Sequence, residues 1–219
     1  MRYIIFLLLF GISVHSYAQK LKIFVTKEKS HLDYDGYLLH MKVIKDGKSY
    51  ETKPGDYESW FYFLRNFDLK DRVRILKKLS KYFDDYSLCS KALKAVFPRV
   101  GIPRTADRFS TEKRYSIAVE AMFLINWMIF GDHTCFMSTY PVLYNKKQEV
   151  HIAYNDVKSI KKMATVYRAW IRKKEQGEKM SLYDIFQFNN GDVIWGGSEN
   201  LEDPSTVSFF EDSFKMHNF

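Results

Sequence analysis

The chain has 219 residues, a formal net charge of +8 and a hydrophobic share of 46%, enough apolar material for a packed core that needs neither a metal nor several disulfides. Aromatic residues make up 17%, so Phe and Tyr must fill much of that core. Charge is uneven: residues 19–175 hold 31 Lys+Arg against 18 Asp+Glu, whereas residues 176–219 hold 2 against 8. A basic body of this kind suits anionic lipid heads, wall polymers or an acidic protein; alternatively the acidic tail folds over the body and neutralises part of it.

The first segment reads as an export signal. Arg2 supplies a positive charge, Ile4 to Ile12 is apolar, and Ser16 and Ala18 form the small-x-small pattern of a cleavage site before Gln19. The apolar stretch is about 9 residues, well short of the roughly 20 a spanning helix needs. The expectation is a cleaved signal peptide at 1–18 and a mature domain at 19–219, periplasmic or secreted, with no transmembrane anchor.

Residues 20–55 read as β-rich. Leu21 to Val25 alternates in part, and Tyr37 to Ile44 is joined to Ser49-Tyr50-Glu51 through Asp46-Gly47, a strong hairpin signal. Residues 56–177 read as mainly helical. Asp56 caps a short helix carrying Tyr57, Trp60, Phe61 and Leu64 on one face. Asp68 caps the next, with Leu69, Val73, Leu76, Leu79 and Phe83 inward and Lys70, Arg74, Lys77, Lys78 and Lys81 outward; that basic side reads as a solvated helix face, not as a binding patch. A third helix is predicted over Ser87–Phe97 and a fourth from about Ser110 to Phe130. The stretch Ile117–Phe130 is apolar except for Glu120 and Asn126, which marks a central helix. Glu120 then needs an Arg, Lys or Tyr partner, and Asn126 a bond to a neighbouring helix. Two short strands follow around Asn145–Gln148, then a helix capped by Asn155, with Val157, Ile160, Ala164, Tyr167 and Ile171 inward and Gly177 as its stop. The acidic segment 178–219 reads as irregular, with an edge strand at Val193-Ile194-Trp195. Its aromatics Phe186, Phe188, Trp195, Phe209 and Phe210 dock it on the body. The fold class expected is α+β, mainly helical, with an N-terminal hairpin or small sheet packed on about five helices.

Two cysteines, Cys89 and Cys135, are present. In an oxidising compartment they either pair, closing a loop of about 45 residues worth about 3–4 kcal/mol, or stay as two buried thiols. Cys89-Ser90, Leu93, Val96-Phe97, Gly101-Ile102 and Pro103-Arg104-Thr105-Ala106 resemble the nucleophile helix of cell-wall cysteine peptidases of the NlpC/P60 family. The resemblance implies Cys89 as nucleophile at a helix N-terminus, with His133 or His151 as its base. It departs from the family pattern at Leu88 and Lys91, where that family carries Asp and Gly. Asp132, His133, Cys135 and His151 lack a metal-site spacing. No phosphate loop or nucleic-acid motif is present, so neither a cofactor nor a nucleic acid is expected. The favoured expectation is a non-catalytic exported binding protein, for example an immunity-type protein. Its partner would be another envelope protein or an anionic envelope component.

Overall fold

The computed structural model describes residues 21–61, 63–93, 113–131, 134, 138, 140–181 and 184–196. Strands β1 (Lys22–Ser30), β2 (Gly36–Lys45) and β3 (Lys48–Glu51) form an antiparallel sheet in that order. Its register runs from Lys22 opposite Ile44 to Ser30 opposite Gly36. Asp46 and Gly47 both take positive φ, 52° and 81°, as the predicted two-residue hairpin turn requires. Along β2, Leu39, Met41 and Val43 are buried on one face; on the other, Leu38 is buried as well, and His40 and Lys42 are half-buried. The period of two thus gives the sheet one core side.

Asp56 accepts from the Glu58 N–H and caps a 3-10 helix at Tyr57–Trp60. Asp68 accepts from the Asp71 N–H at 2.9 Å and starts helix α1 (Leu69–Leu79). Val73, Leu76, Leu79 and Phe83 are buried as the spacing predicts, together with Ile75, but Leu69 is exposed. Helix α2 (Ile117–Phe130) is capped by Ser116 and buried on every side except at Ile129. It packs on β2 and on helix α3 (Val157–Glu175), which also lies against α1. The cap of α3 is Asp156, one residue later than predicted, and its chain turns at Gly177 with φ 96°.

A second antiparallel sheet has the order β5–β4–β6, from β4 (Leu143–Asn145), β5 (Val150–His151) and β6 (Val193–Trp195). Between α3 and β6 lies the short helix α4 (Asp184–Gln187). Buried Lys174 fastens this segment, donating to Asp184 at 3.0 Å, Glu178 at 2.9 Å and the Lys179 carbonyl at 2.7 Å. Phe188 stacks on Tyr167, and Trp195 packs against Phe123. The acidic segment therefore docks through Phe188 and Trp195 within the described residues; Phe209 and Phe210 lie outside them. One buried cluster joins both sheets and α1–α3. The fold is α+β, with four α-helices among the described residues and a second sheet, where the sequence predicted about five helices and a mainly helical chain.

The largest departure is at Ser87–Phe97. Residues 87–93 are not helical, with isolated β-bridges at Leu88 and Cys89 between bends, and 94–97 lie outside the described residues. Their backbone is shared between two neighbours. Tyr37 N–H donates to the Leu88 carbonyl and Ser90 N–H to the Tyr37 carbonyl; Cys89 N–H donates to Tyr115, Leu93 N–H to Lys113, and Ile117 N–H to Ser87. Residues 113–116 are accordingly extended, and α2 starts at Ile117 rather than near Ser110. Gly36 permits the approach. A Cβ there would meet the Leu88 carbonyl oxygen at 2.7 Å and backbone atoms of Cys89 and Ser90 at 2.9 Å.

Candidate functional site

Cys89 sits in this sandwiched segment, bridged to Tyr37, not at the start of a helix. Its side chain is a free thiol and fully buried. Burial pushes the thiol up to about 12, with the neighbouring Glu120 charge acting in the same direction. At neutral pH it stays a thiol, the unreactive form. The helix-dipole activation implied by the peptidase resemblance is therefore missing, and that placement of a nucleophile is corrected. Cys135, the candidate bridge partner, lies outside the described residues, as do Asp132, His133 and the Gly101–Ala106 part of the resemblance.

Around Cys89 the chain assembles a polar cluster inside the core. Glu120 projects from the first turn of α2, where the helix N-terminus favours a carboxylate. Its carboxylate accepts from the Tyr57 hydroxyl at 2.9 Å. The two phenol oxygens lie 2.9 Å apart, and the Cys89 N–H donates to the Tyr115 carbonyl at 2.9 Å. Lys91 closes the group: its Nζ stands 3.0 Å from the Tyr57 ring centroid and donates to the Gly55 carbonyl at 2.8 Å. Burial raises the Glu120 carboxyl and lowers the Lys91 ammonium, while each charge favours the other. Both phenols are held well above their ordinary range, chiefly by burial.

The predicted need of Glu120 for a Tyr or Lys partner is thus met by the Tyr57 hydroxyl, with the Lys91 charge favouring its ionised form. The sequence pattern places Tyr57 only on a packing face and singles out neither Tyr115 nor Lys91. Tyr115 directly precedes the Ser116 cap, little more than one helical turn before Glu120, and that proximity is the available signal. Asn126 likewise accepts from the Tyr167 hydroxyl of α3, to which the Trp195 indole donates. Chemically, the Glu120 cluster ties four chain segments together: the 3-10 helix, 89–91, Tyr115 and α2. Its carboxylate and phenols are already bonded to one another, so a substrate would have to break those bonds to use them.

His151 lies in the second sheet, opposite Tyr144, with the two rings edge to face at 5.4 Å. Cys89 is instead bridged to Tyr37 of β2, in the first sheet. Among the described residues no group of three or more His, Cys, Asp or Glu side chains is arranged to hold a metal ion. No helix among them is long and apolar enough to cross a membrane.

No protein-family model, curated protein or solved structure matches this chain. The remaining feature with a functional character is on the outside. α1 and α3 lie antiparallel, tied by Lys77–Glu175 and Arg168–Asp84 ion pairs, each at 2.6 Å. Lys70, Arg74, Lys77, Lys78 and Lys81 are exposed along α1 and just past its end, and Lys158, Lys161, Lys162, Arg172 and Lys173 along α3. The acids of these helices are engaged: Asp71 is buried against Lys45 at 2.8 Å, and Glu175 pairs with Lys77. One helix with a basic side is ordinary. Two such sides on adjacent helices form a net cationic face, crossed at the seam by the Lys77–Glu175 and Arg168–Asp84 ion pairs.

Proposed function

We propose that the mature chain is an exported, non-catalytic binding protein that engages an anionic partner of the cell envelope through the outer face of α1 and α3. The observation that carries the reading is the run of exposed cations on two adjacent helices with their acids already paired. The state of the interior supports it: Cys89 is a buried thiol, and the Glu120 carboxylate is already taken up by the Tyr57 hydroxyl. A protein that blocks a delivered toxin is one concrete form, since it needs a stable core and a charged complementary face. The export half of the reading rests on the signal-like segment 1–18 with its cut between Ala18 and Gln19.

Fractionation of the native host carrying a C-terminally tagged chain tests both halves. The expected result is material beginning at Gln19, associated with the envelope and released by raised salt. Material beginning at Met1 in the cytosol overturns export. Envelope association unchanged by charge reversal on α1 and α3 overturns the assignment of the face.

A further inference from the structure

We propose that the partner of this face is the headgroup surface of an anionic phospholipid bilayer, held peripherally and without insertion; this rests on the binding reading above and names its partner. The shape of the face supports it. At 100° per residue, Lys158, Lys161, Lys162, Thr165, Ala169, Arg172, Lys173 and Gln176 fall on one side of α3, all exposed. The 19 residues of α3 make a strip about 28 Å long. Its centre is flat: Ala169 is small, and the Thr165 hydroxyl folds back onto the Lys161 carbonyl at 2.9 Å. α1 extends the strip sideways with exposed Lys78 and Lys81, flanked by exposed Arg74 and Lys77, which are paired with Asp71 and Glu175.

The residue types select among anionic partners. A protein interface is built on buried aromatic and Arg anchors and is depleted in Lys. Among the large hydrophobic side chains exposed in the described residues, only Leu69 belongs to α1 or α3, and it stands at the first turn of α1, away from the strip. Reading a nucleic-acid groove requires an element that projects base-contacting side chains, which a flat lysine strip does not offer. Clustered lysines on a helix face are the form that follows anionic lipid headgroups, each adding to the attraction. With no large apolar side chain exposed along the strip, the contact stays at headgroup level.

The test uses mature protein 19–219 in flotation with two vesicle types, phosphatidylcholine alone and phosphatidylcholine mixed with phosphatidylglycerol. Wild type is expected to float only with the anionic vesicles, and less as salt rises. Combining Lys78→Glu, Lys81→Glu, Lys161→Glu and Lys173→Glu should lower partitioning by about 100-fold or more. A control of equal net charge, Lys22→Glu, Lys29→Glu, Lys48→Glu and Lys53→Glu, should retain most of the binding. Thermal melting of both variants reports that they remain folded. No flotation of wild type, equal flotation with both vesicles, equal loss in both variants, or preferential binding of a duplex oligonucleotide overturns the proposal. If vesicles fail while envelope association in the host still depends on the α1/α3 lysines, the lipid assignment falls and the binding reading stands, with an acidic protein as partner.

Discussion

The Glu120 cluster and the outer face of α1 and α3 are both made of ionisable side chains, and they are left in opposite states. Inside, Glu120, Lys91, Tyr57, Tyr115 and Cys89 interact with one another, and burial shifts each toward its neutral form. Outside, ten exposed Lys and Arg side chains meet few acids. The difference teaches which residues hold the fold and which are free to meet something else. Polar groups in the core must satisfy one another because water cannot, whereas surface cations contribute little to stability and retain their field.

That contrast should appear first as a large gap in stability. Trp127 stacks on Tyr57 and packs against Phe123 in the core beside the cluster. Trp127→Ala should cost about 3–5 kcal/mol, measured by urea unfolding. Gly36→Ala should follow at about 3 kcal/mol, since the new methyl meets backbone that cannot step aside. In a Cys135→Ser background it should also speed modification of Cys89 by a thiol reagent, because the segment carrying Cys89 loses its seat against β2. Unchanged stability and thiol protection would break the claim that this approach organises the site.

Glu120→Gln separates burial of charge from the hydrogen bonds. Burial raises the folded-state carboxyl above its ordinary value, so its contribution is complete below the unfolded carboxylate pKa of about 4.3 and is lost as pH rises through the folded value. Wild type should therefore lose melting temperature relative to Glu120→Gln between acidic and mildly alkaline pH. A gap that does not vary with pH would show that Glu120 does not titrate in this range. Asp68→Ala should cost about 1 kcal/mol through loss of the α1 cap. The Asp71 N–H, and then Lys45, hold the Asp68 carboxyl below its ordinary value, so this contribution is present above the unfolded pKa and fades as pH falls. Smallest of all, Lys161→Glu should change stability by less than about 0.5 kcal/mol; a larger loss would place this lysine among the residues that hold the fold.

What could be read from the sequence follows the same division between local and distant causes. The Asp46-Gly47 turn, the Asp68 cap, the Gly177 stop and the apolar face of α3 depend on neighbours within a few residues, and each lies where its local chemistry puts it. The need of Glu120 for a partner was also legible, because a carboxylate in an apolar helix is costly whatever surrounds it. The segment 87–93 was not. Its spacing suits a helix, but its backbone groups are claimed by Tyr37 on one side and by 113–117 on the other, and those partners are distant in sequence. Misplacing this segment is what made Cys89 look like a helix-start nucleophile. Nor could the sequence show that the basic sides of α1 and α3 are neighbours, since only their packing brings them together.

The strand order β5–β4–β6 sets a timetable for synthesis. The first sheet grows from adjacent hairpins and can pair as soon as each strand leaves the ribosome. The second waits for β6, which returns to β4 only after α3 and α4 have been made. Until Trp195 arrives, Phe123 lacks one aromatic neighbour and the Tyr167 hydroxyl lacks its indole donor. The nascent chain therefore carries an unfinished core around Phe123 and Tyr167 until β6 has been made.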